Sequence, residues 1–503
     1  MIYTGVLILN GNRTYSPPNN TTTTTTKYYK CIPRNNTILQ TILIPYKFHF
    51  AKGDMFNKVQ DNIYIIYEYN EATITTTNTN IIIATLKEVI GPTKSYEAFQ
   101  KYELCSRNIY NSLSLHNKYI NSRLLSNKNE LEIQYFYNKY NITPFTDQHN
   151  NIITIDPKGA QDLDDAISII DNVILNTIEI SVYISLVSGW VDYYDNWQYL
   201  CDTTNIRVST IYLPNGEIRP IFPTVLSHNK MSLLADNKLR PVLTTTFIYD
   251  KNTKKLIHYI IKPDMIYINK NYIYDTPDLM DDKTYKTLID FTTEANGDSH
   301  KLIEYWMIQT GLICGKEIKR RKLCSGIYRE CLDITDTTTN LELGWKSYKS
   351  KYILDVSVNE IYHNGIGENN YVHITSPIRR LVDIWNQSLL LNGTPNELLY
   401  EFVFEKGGID IINNKMREIQ KTQNSCALLY KLIHSNNTPI ICDGLPFYDG
   451  NKWKIYLPKY KLWSTLYIPP NKKYNGEYLT VKCSIVFFEC EHNIRKKIKI
   501  MAV

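Results

Sequence analysis

The chain has 503 residues, 43% hydrophobic and 21% charged, which are the proportions of a soluble globular protein long enough for several domains. Its 56 basic and 50 acidic residues leave a formal charge of +6, too mild to indicate a nucleic-acid binder by itself. No apolar run approaches the roughly 18 residues of a membrane span, the start MIYTGVLILNGNRTY lacks the pattern of a secretory signal, and ten scattered cysteines without a C-x-x-C pair argue against zinc. The expectation is a soluble, cytoplasmic protein in a reducing compartment.

Residues 1–92 read as all-β. Short apolar runs at Val6–Leu9, Ile38–Pro45, Ile63–Tyr67 and Ile81–Ala84 alternate with polar turns, and a small barrel is the economical arrangement. The low-complexity tract Thr21–Thr26 reads as a hairpin loop. Residues 93–149 are more helical and form a connecting segment. Strands return over 150–270, including Ile178–Ser185 and Val242–Tyr249. Helices dominate from about 276, with Thr276-Pro277 as a start signal and Leu302–Lys319 and Asn413–Ile433 as long candidates. Beyond Asn436-Asn437-Thr438-Pro439 the pattern returns to short strands, which predicts a second small barrel over 437–503. The basic residues concentrate there, at Lys454, Lys459, Lys461, Lys472, Lys473 and the run Arg495-Lys496-Lys497-Ile498-Lys499.

The densest chemistry lies in TIDPKGAQDLDDAIS, residues 154–168, where Asp156, Asp162, Asp164 and Asp165 fall close together and only Lys158 offsets them. Two carboxylates about 4 Å apart repel by roughly 4 kcal/mol at an effective dielectric near 20. If the fold gathers them, a cation must sit among them, and hard divalent ions such as Mg²⁺ or Mn²⁺ suit carboxylate oxygens. Thr154-Ile155-Asp156 reads as a strand end and Pro157-Lys158-Gly159 as a turn. Asp162–Ile170 then reads as a strand, with Asp162 and Asp164 on one face and Asp165 on the other. A solvated acidic loop or structural calcium is the bland alternative, and the spacing does not match an EF-hand.

A second constellation, YVHITSPIRRLVDIWNQ, spans 371–387. Ser376 reads as an N-cap with Pro377 at the first helical position, and Ile378, Leu381, Trp385 and Leu389 form an apolar stripe. That places Arg379 and Arg380 in the first turn, where cations oppose the helix dipole unless an anion binds. A phosphate site is favoured over a surface Arg379–Asp383 pair. His373 reads as a structural hydrogen-bonding residue rather than a metal ligand or base. Between the two constellations, Tyr212 stands before Leu213-Pro214 and either stacks on a nucleotide or belongs to the core. Asp278, Asp281 and Asp282 form a second acidic group at a helix start, where acids are ordinary.

Taken together these residues resemble a family. TIDPKGAQDLDDAIS resembles the signature of the RNB exoribonucleases, the ribonuclease II, ribonuclease R and exosome catalytic-subunit type. YVHITSPIRRLVD resembles the later signature of the same family, RVSTIYLPNGEIRPIFPTVLS sits between them in the expected order, and Ile303–Met307 resembles a helix of the family. The resemblance covers about 150–435. It implies an α+β multidomain fold with an N-terminal OB-like β-barrel, a central mixed α/β RNB-type catalytic domain (150–436) and a C-terminal OB-like β-barrel. It implies processive 3′→5′ hydrolysis of single-stranded RNA to nucleoside 5′-monophosphates. Asp156, Asp162, Asp164 and Asp165 would hold two metal ions, Mg²⁺ or Mn²⁺, about 3.5–4 Å apart. Arg379 would stabilise charge on the scissile phosphate. Tyr212, Glu304, Ser376 and Arg380 would contact substrate, with Tyr212 against the 3′-terminal nucleotide and Glu304 near its ribose. The partner is single-stranded RNA, without a membrane, and a helicase or another RNA-processing partner is left open.

The chain departs from the family pattern at Tyr183, Leu186, Tyr305 and Asn386-Gln387, around substrate gripping and ribose discrimination. Two alternatives therefore accompany the exoribonuclease: a catalytically weak RNA-binding homologue acting as a scaffold, and a nuclease with relaxed RNA/DNA selectivity.

Overall fold

The computed structural model describes residues 2–11, 13–15, 27–34, 40–47, 61–69, 81–126, 129–143, 151–202, 206–323, 326–331, 350–354, 360–435, 438–448, 453–460, 462–466, 481–490 and 493–502. The tract Thr21–Thr26 and Lys461, Lys472 and Lys473 lie outside them, as do the side chains of Arg495, Lys496, Lys497, Ile498 and Lys499.

In the N-terminal region, strand Ile2–Leu7 pairs antiparallel with Tyr28–Pro33 on one side and Ile63–Glu68 on the other. Tyr28–Pro33 continues to Thr41–Pro45, which pairs parallel with Ile81–Ile83, while the next strand, Thr85–Pro92, returns to Ile63–Glu68. Because the last two strands are separated only by Ala84, the ring of pairings closes. Its interior is filled by the β-branched and aromatic residues that favour strands, among them Ile42, Ile44, Ile65 and Tyr67. Helix Tyr96–Ser106, capped by the Ser95 hydroxyl on the Ala98 N–H, ties this ring to the body. Its Glu103 pairs with Arg34, and the Tyr96 hydroxyl donates to the Cys426 carbonyl.

The body is built on a six-stranded mixed sheet in the order Leu256–Ile266, Arg240–Asp250, Thr177–Ser185, Asp165–Asn172, Ile153–Asp156 and Lys270–Ile273. Its last pair is parallel and the others are antiparallel. Helix Ser299–Arg320 lies on one face and buries Leu302, Ile303, Trp306 and Ile313 against Ile155, Ile180, Ile184 and Phe247. Asp298 caps it, accepting from the His300 and Lys301 N–H groups. The predicted helices over 302–319 and 413–433 are present as Ser299–Arg320 and Gly408–His434. The start at Thr276-Pro277 is real, but that helix ends at Asp281, and Asp282 caps the next one through the Tyr285 N–H. The acids at 278–282 are thus helix-terminal groups.

The C-terminal strands form one five-stranded sheet in the order Leu462–Thr465, Trp453–Leu457, Ile440–Tyr448, Val481–Cys490 and Asn493–Ala502. Among the described residues its two edges meet at a single parallel bridge, Leu466 to Ile500. The expected closed barrel is therefore corrected to a curled half-barrel, because the short edge strand Leu462–Thr465 offers little length for a full ladder.

Candidate active site

The first element of the site is the acidic segment. Strand Ile153–Asp156 delivers Asp156, and Gly159, at φ +81°, permits the turn that follows, closed by the Ala160 N–H on the Pro157 carbonyl at 3.0 Å. The strand expected from Asp162 begins only at Asp165. Residues 161–164 run as irregular backbone pinned from outside: the Leu163 N–H donates to the Ser232 hydroxyl and the Ser185 N–H to the Asp164 carbonyl. The period-two argument that sent Asp165 to the opposite face therefore does not apply. All four aspartates line one cleft of about 830 Å³.

Their electrostatics reflect crowding away from water. Burial pushes the Asp156 carboxyl up to about 6 and Asp164 up to about 7. Burial also raises Asp162, and it raises Asp165 well above the carboxylate range, with Asp156 and Asp164 adding repulsion there. The Asp156 Oδ2 is buried without a hydrogen-bond partner. An orphaned carboxylate oxygen beside a second, repelled carboxylate is a hard-oxygen donor set and fits a divalent cation. Among the described residues, however, no three His, Cys, Asp or Glu side chains are gathered closely enough to form a ready-made metal site. Asp164 is otherwise engaged. Its Oδ1 accepts from the Ile378 N–H at 2.8 Å and its Oδ2 from Arg379 Nε at 3.2 Å.

The opposite wall comes from residues 371–380, seated against helix Ser299–Arg320 at two glycines. A Cβ on Gly315 would overlap the Asn370 carbonyl oxygen, and one on Gly311 would crowd the Val372 carbonyl. The expected N-terminus at Ser376 is not formed. Helix Leu381–Asn392 begins after Arg380, whose backbone is extended at φ −142° and ψ 127°. The cause is tertiary: Arg380 bridges to Ser209, the Thr210 N–H donates to the Arg379 carbonyl, and the Leu381 N–H donates to the Val208 carbonyl. Ser376 is thus no N-cap. Its N–H donates to Asp383 Oδ1 at 2.7 Å, and its hydroxyl accepts from Arg379 Nη2 at 2.9 Å. The apolar stripe is as expected, with Ile378, Leu381, Trp385 and Leu389 all buried.

The two arginines have separate fates. Arg379, its side chain 44% exposed, faces the cleft with Nε on Asp164 and Nη2 on Ser376. Arg380 turns inward to Asp383, itself 0% exposed, with Nη2 to Oδ1 at 2.9 Å. The surface Arg379–Asp383 pair weighed from sequence is replaced by this buried one. Arg380 also borders the cleft; its Nη1 and Nη2 meet His373 and Asp383, and its buried Nε has no hydrogen-bond partner among the described residues.

Tyr212 ends the two-residue strand Ile211–Tyr212, is 40% exposed and lines the cleft. Glu304 is exposed at the same cleft from helix Ser299–Arg320, one turn before Met307 and Ile308. The departures from the family pattern sit elsewhere. Tyr305 packs against the sheet beside Trp306, Tyr183 bonds Ser168 on the sheet's other face, and Leu186 is core. Asn386 holds the Ile327 backbone and the His373 carbonyl, while Gln387 bonds the Ser188 N–H and the Ser185 carbonyl. Tyr274, His363 and Ile366 also line the cleft and gave no local sequence signal, and Tyr371, the first residue of the second constellation, lines it too.

Residues 144–285 match the RNB domain family. No curated protein sequence matches the chain. Among solved structures, ribonuclease R of Mycoplasma genitalium in complex with double-stranded RNA matches with a TM-score of 0.68 at 16% identity, covering 100% of this chain and 95% of that one. The same enzyme with ribose-methylated single-stranded RNA gives 0.67 at 16% identity, covering 100% and 89%. Yeast Ssd1, a pseudonuclease, gives 0.60 at 13% identity, covering 97% and 67%. The fold is therefore that of ribonuclease R over the full length. No helix among the described residues is long and apolar enough to cross a membrane.

Proposed function

We propose, for this divergent member of the RNB domain family, a divalent-metal-dependent exoribonuclease that hydrolyses single-stranded RNA processively from its 3′ end to nucleoside 5′-monophosphates. The observation that carries the reading is the juxtaposition, across one cleft, of four crowded carboxylates and the exposed guanidinium of Arg379. An acidic wall facing a cation is what a phosphodiester between metal ions and an arginine requires. The ribonuclease R structures bound to RNA support the choice of polymer.

In this reading Asp156 and Asp165, with Asp162 beside them, would hold Mg²⁺ or Mn²⁺, two ions in all. Such ions, when bound, polarise the phosphoryl oxygens and lower the pKa of the attacking water. Asp164 aims Arg379, whose remaining N–H groups meet the charge that builds on the phosphate. Ser376 fixes the same guanidinium. Tyr212 packs against the 3′-terminal nucleotide, and Glu304 reaches its ribose. The N-terminal ring of strands (1–92) and the C-terminal sheet (437–503) act as OB-like RNA-binding modules that feed the strand inward past residues 93–149 and the catalytic domain at 150–436, by stacking and basic grooves.

A second reading is a non-catalytic RNA-binding homologue. It is favoured by the Asp164–Arg379 pair, by the lack of a gathered three-ligand group among the described residues, and by the fold shared with the pseudonuclease Ssd1. Incubation with 5′-labelled single-stranded RNA and Mg²⁺, beside Asp165→Asn, separates the two. Progressive 3′ shortening by wild type alone supports the nuclease. RNA retained in a gel shift but shortened by neither protein sinks it. A DNA oligonucleotide in parallel reports sugar selectivity.

A further inference from the structure

One polar ring in the cleft is fixed from behind by groups that leave it no choice of tautomer. His373 lines the cleft, and its Nδ1 lies 3.2 Å from Arg380 Nη1 and 2.7 Å from the Tyr352 hydroxyl. A guanidinium only donates, so Nδ1 accepts and the proton of the neutral ring sits on Nε2. Arg380 cannot swing away, because Asp383 holds it at 2.9 Å in the interior. The His373 carbonyl is tied to Asn386 Nδ2 at 2.9 Å, and Tyr352 and Tyr371 pack edge-on against the ring with centroids 5.5 Å away. Burial first, then Arg380 and Arg329, hold the ring well below the ordinary histidine pKa, so it stays neutral. No protein partner meets Nε2 among the described residues, and Nε2 is not among the buried unpartnered atoms.

We propose that His373 is a substrate-binding residue whose Nε2–H, oriented by Arg380 and Tyr352, donates to a backbone phosphate oxygen of RNA in the cleft. The proposal rests on the nuclease reading for its ligand. A neutral donor suits the place. Arg379 already supplies the charge, and a second full cation would hold a nucleotide product more tightly. A phosphate oxygen is also present on every nucleotide, so the contact survives each advance of the chain. In this arrangement Arg380, expected to touch substrate, acts through His373 as a positioning residue.

The test uses the geometry of amide substitutes. Glutamine at 373 can place an N–H near the Nε2 position, whereas asparagine can place only an acceptor near Nδ1. His373→Gln is expected to keep RNA affinity within about threefold of wild type, and His373→Asn to lose about tenfold or more at unchanged thermal stability. The reverse order, with asparagine sufficient and glutamine impaired, would assign the ring to holding Arg380 and overturn the proposal. Histidine ¹⁵N spectra of the wild-type chain provide an arm that needs no variant to fold. The Nε2–H tautomer is expected between about pH 6 and 8, with the Nε2 resonance shifted by 5′-AMP and not by adenosine. An Nδ1–H tautomer, an equal shift with adenosine, or no shift with either ligand overturns it. Neither arm depends on turnover, so a wild type that binds 5′-AMP in this way yet never shortens RNA refutes the nuclease reading alone.

Discussion

Asp164 and Arg379, 215 positions apart in sequence, meet with Nε 3.2 Å from Oδ2, while the other oxygen of the same carboxylate caps the Ile378 N–H at 2.8 Å. One buried acid therefore fixes both the backbone of the turn before the last signature helix and the direction of its exposed arginine. The acidic segment and the arginine turn are one mechanical unit, and the first consequences concern that pair.

Arg379→Ala is expected to lower kcat about a hundredfold or more while RNA affinity falls only severalfold, because a charge clamp acts chiefly on the transition state. Single-turnover rates beside filter-binding affinities check this. A matched loss in both would demote Arg379 to a backbone contact.

Asp164 separates geometry from charge. Asp164→Asn keeps an acceptor for the Ile378 N–H and is expected to fold nearly as well as wild type with slower cleavage. Asp164→Ala strands that buried N–H and is expected to lose about 1–3 kcal/mol in urea unfolding. Equal stability of the two variants would show that the hydrogen bond contributes nothing.

The aspartate cluster gives stability a pH dependence of defined sign. Asp156 and Asp164 move from an ordinary 3.8 to about 6 and about 7 in the folded chain. The folded state therefore binds these protons more tightly than the unfolded one. That contribution is present below the ordinary value and is lost as pH rises through about 6 to 7. Without divalent ions, wild type is expected to lose thermal stability relative to Asp165→Asn across this window, and Mg²⁺ to restore it in wild type alone. Calorimetry at several pH values, with EDTA or Mg²⁺, reads the difference. A gap between the proteins that ignores both pH and metal would refute the electrostatic account of the cluster.

Arg380→Met leaves Asp383 charged at 0% exposure, which is expected to cost about 3–5 kcal/mol. Pairing it with Asp383→Leu should recover much of that loss. A single variant of wild-type stability with weakened RNA binding would instead return Arg380 to the substrate surface.

Tyr212→Ala should leave the fold intact, since Gln423 bonds the Tyr212 carbonyl at 3.1 Å and not the ring. The lost stacking, about 1–3 kcal/mol per base, is expected to weaken grip on the 3′ end and to lengthen the final product on sequencing gels. Unchanged affinity and product length would remove Tyr212 from the path of the strand.

Much of this architecture was legible because it is local. Short apolar runs between polar turns marked the strands of both terminal regions, and the long helix candidates over 302–319 and 413–433 fall inside Ser299–Arg320 and Gly408–His434. The failures share one origin. Ser376-Pro377 is a sound helix start by local rules, yet residues 377–379 close into a turn and the bridge from Arg380 to Ser209 holds Arg380 extended, so the helix starts only at Leu381. Asp165 was sent to the wrong face because residues 161–164 are pinned by Ser232 and Ser185 and never enter the pleat. The departures at Tyr183, Leu186 and Tyr305 looked threatening in the sequence and lie off the cleft, because helix phase and sheet face, not sequence proximity, decide which side chains reach it.

By itself the sequence determined the inventory: four aspartates around a turn, a Ser-Pro-Ile-Arg-Arg segment far downstream, and the strands and helices that carry them. These follow from residue type and short-range period, which act within a few residues. Tertiary structure alone decided the pairing. Asp164 aims Arg379, Asp383 claims Arg380, and Arg380 fixes the His373 tautomer. Each of these depends on distance and burial, which set the strength of charge and hydrogen bonding once the chain brings remote segments together.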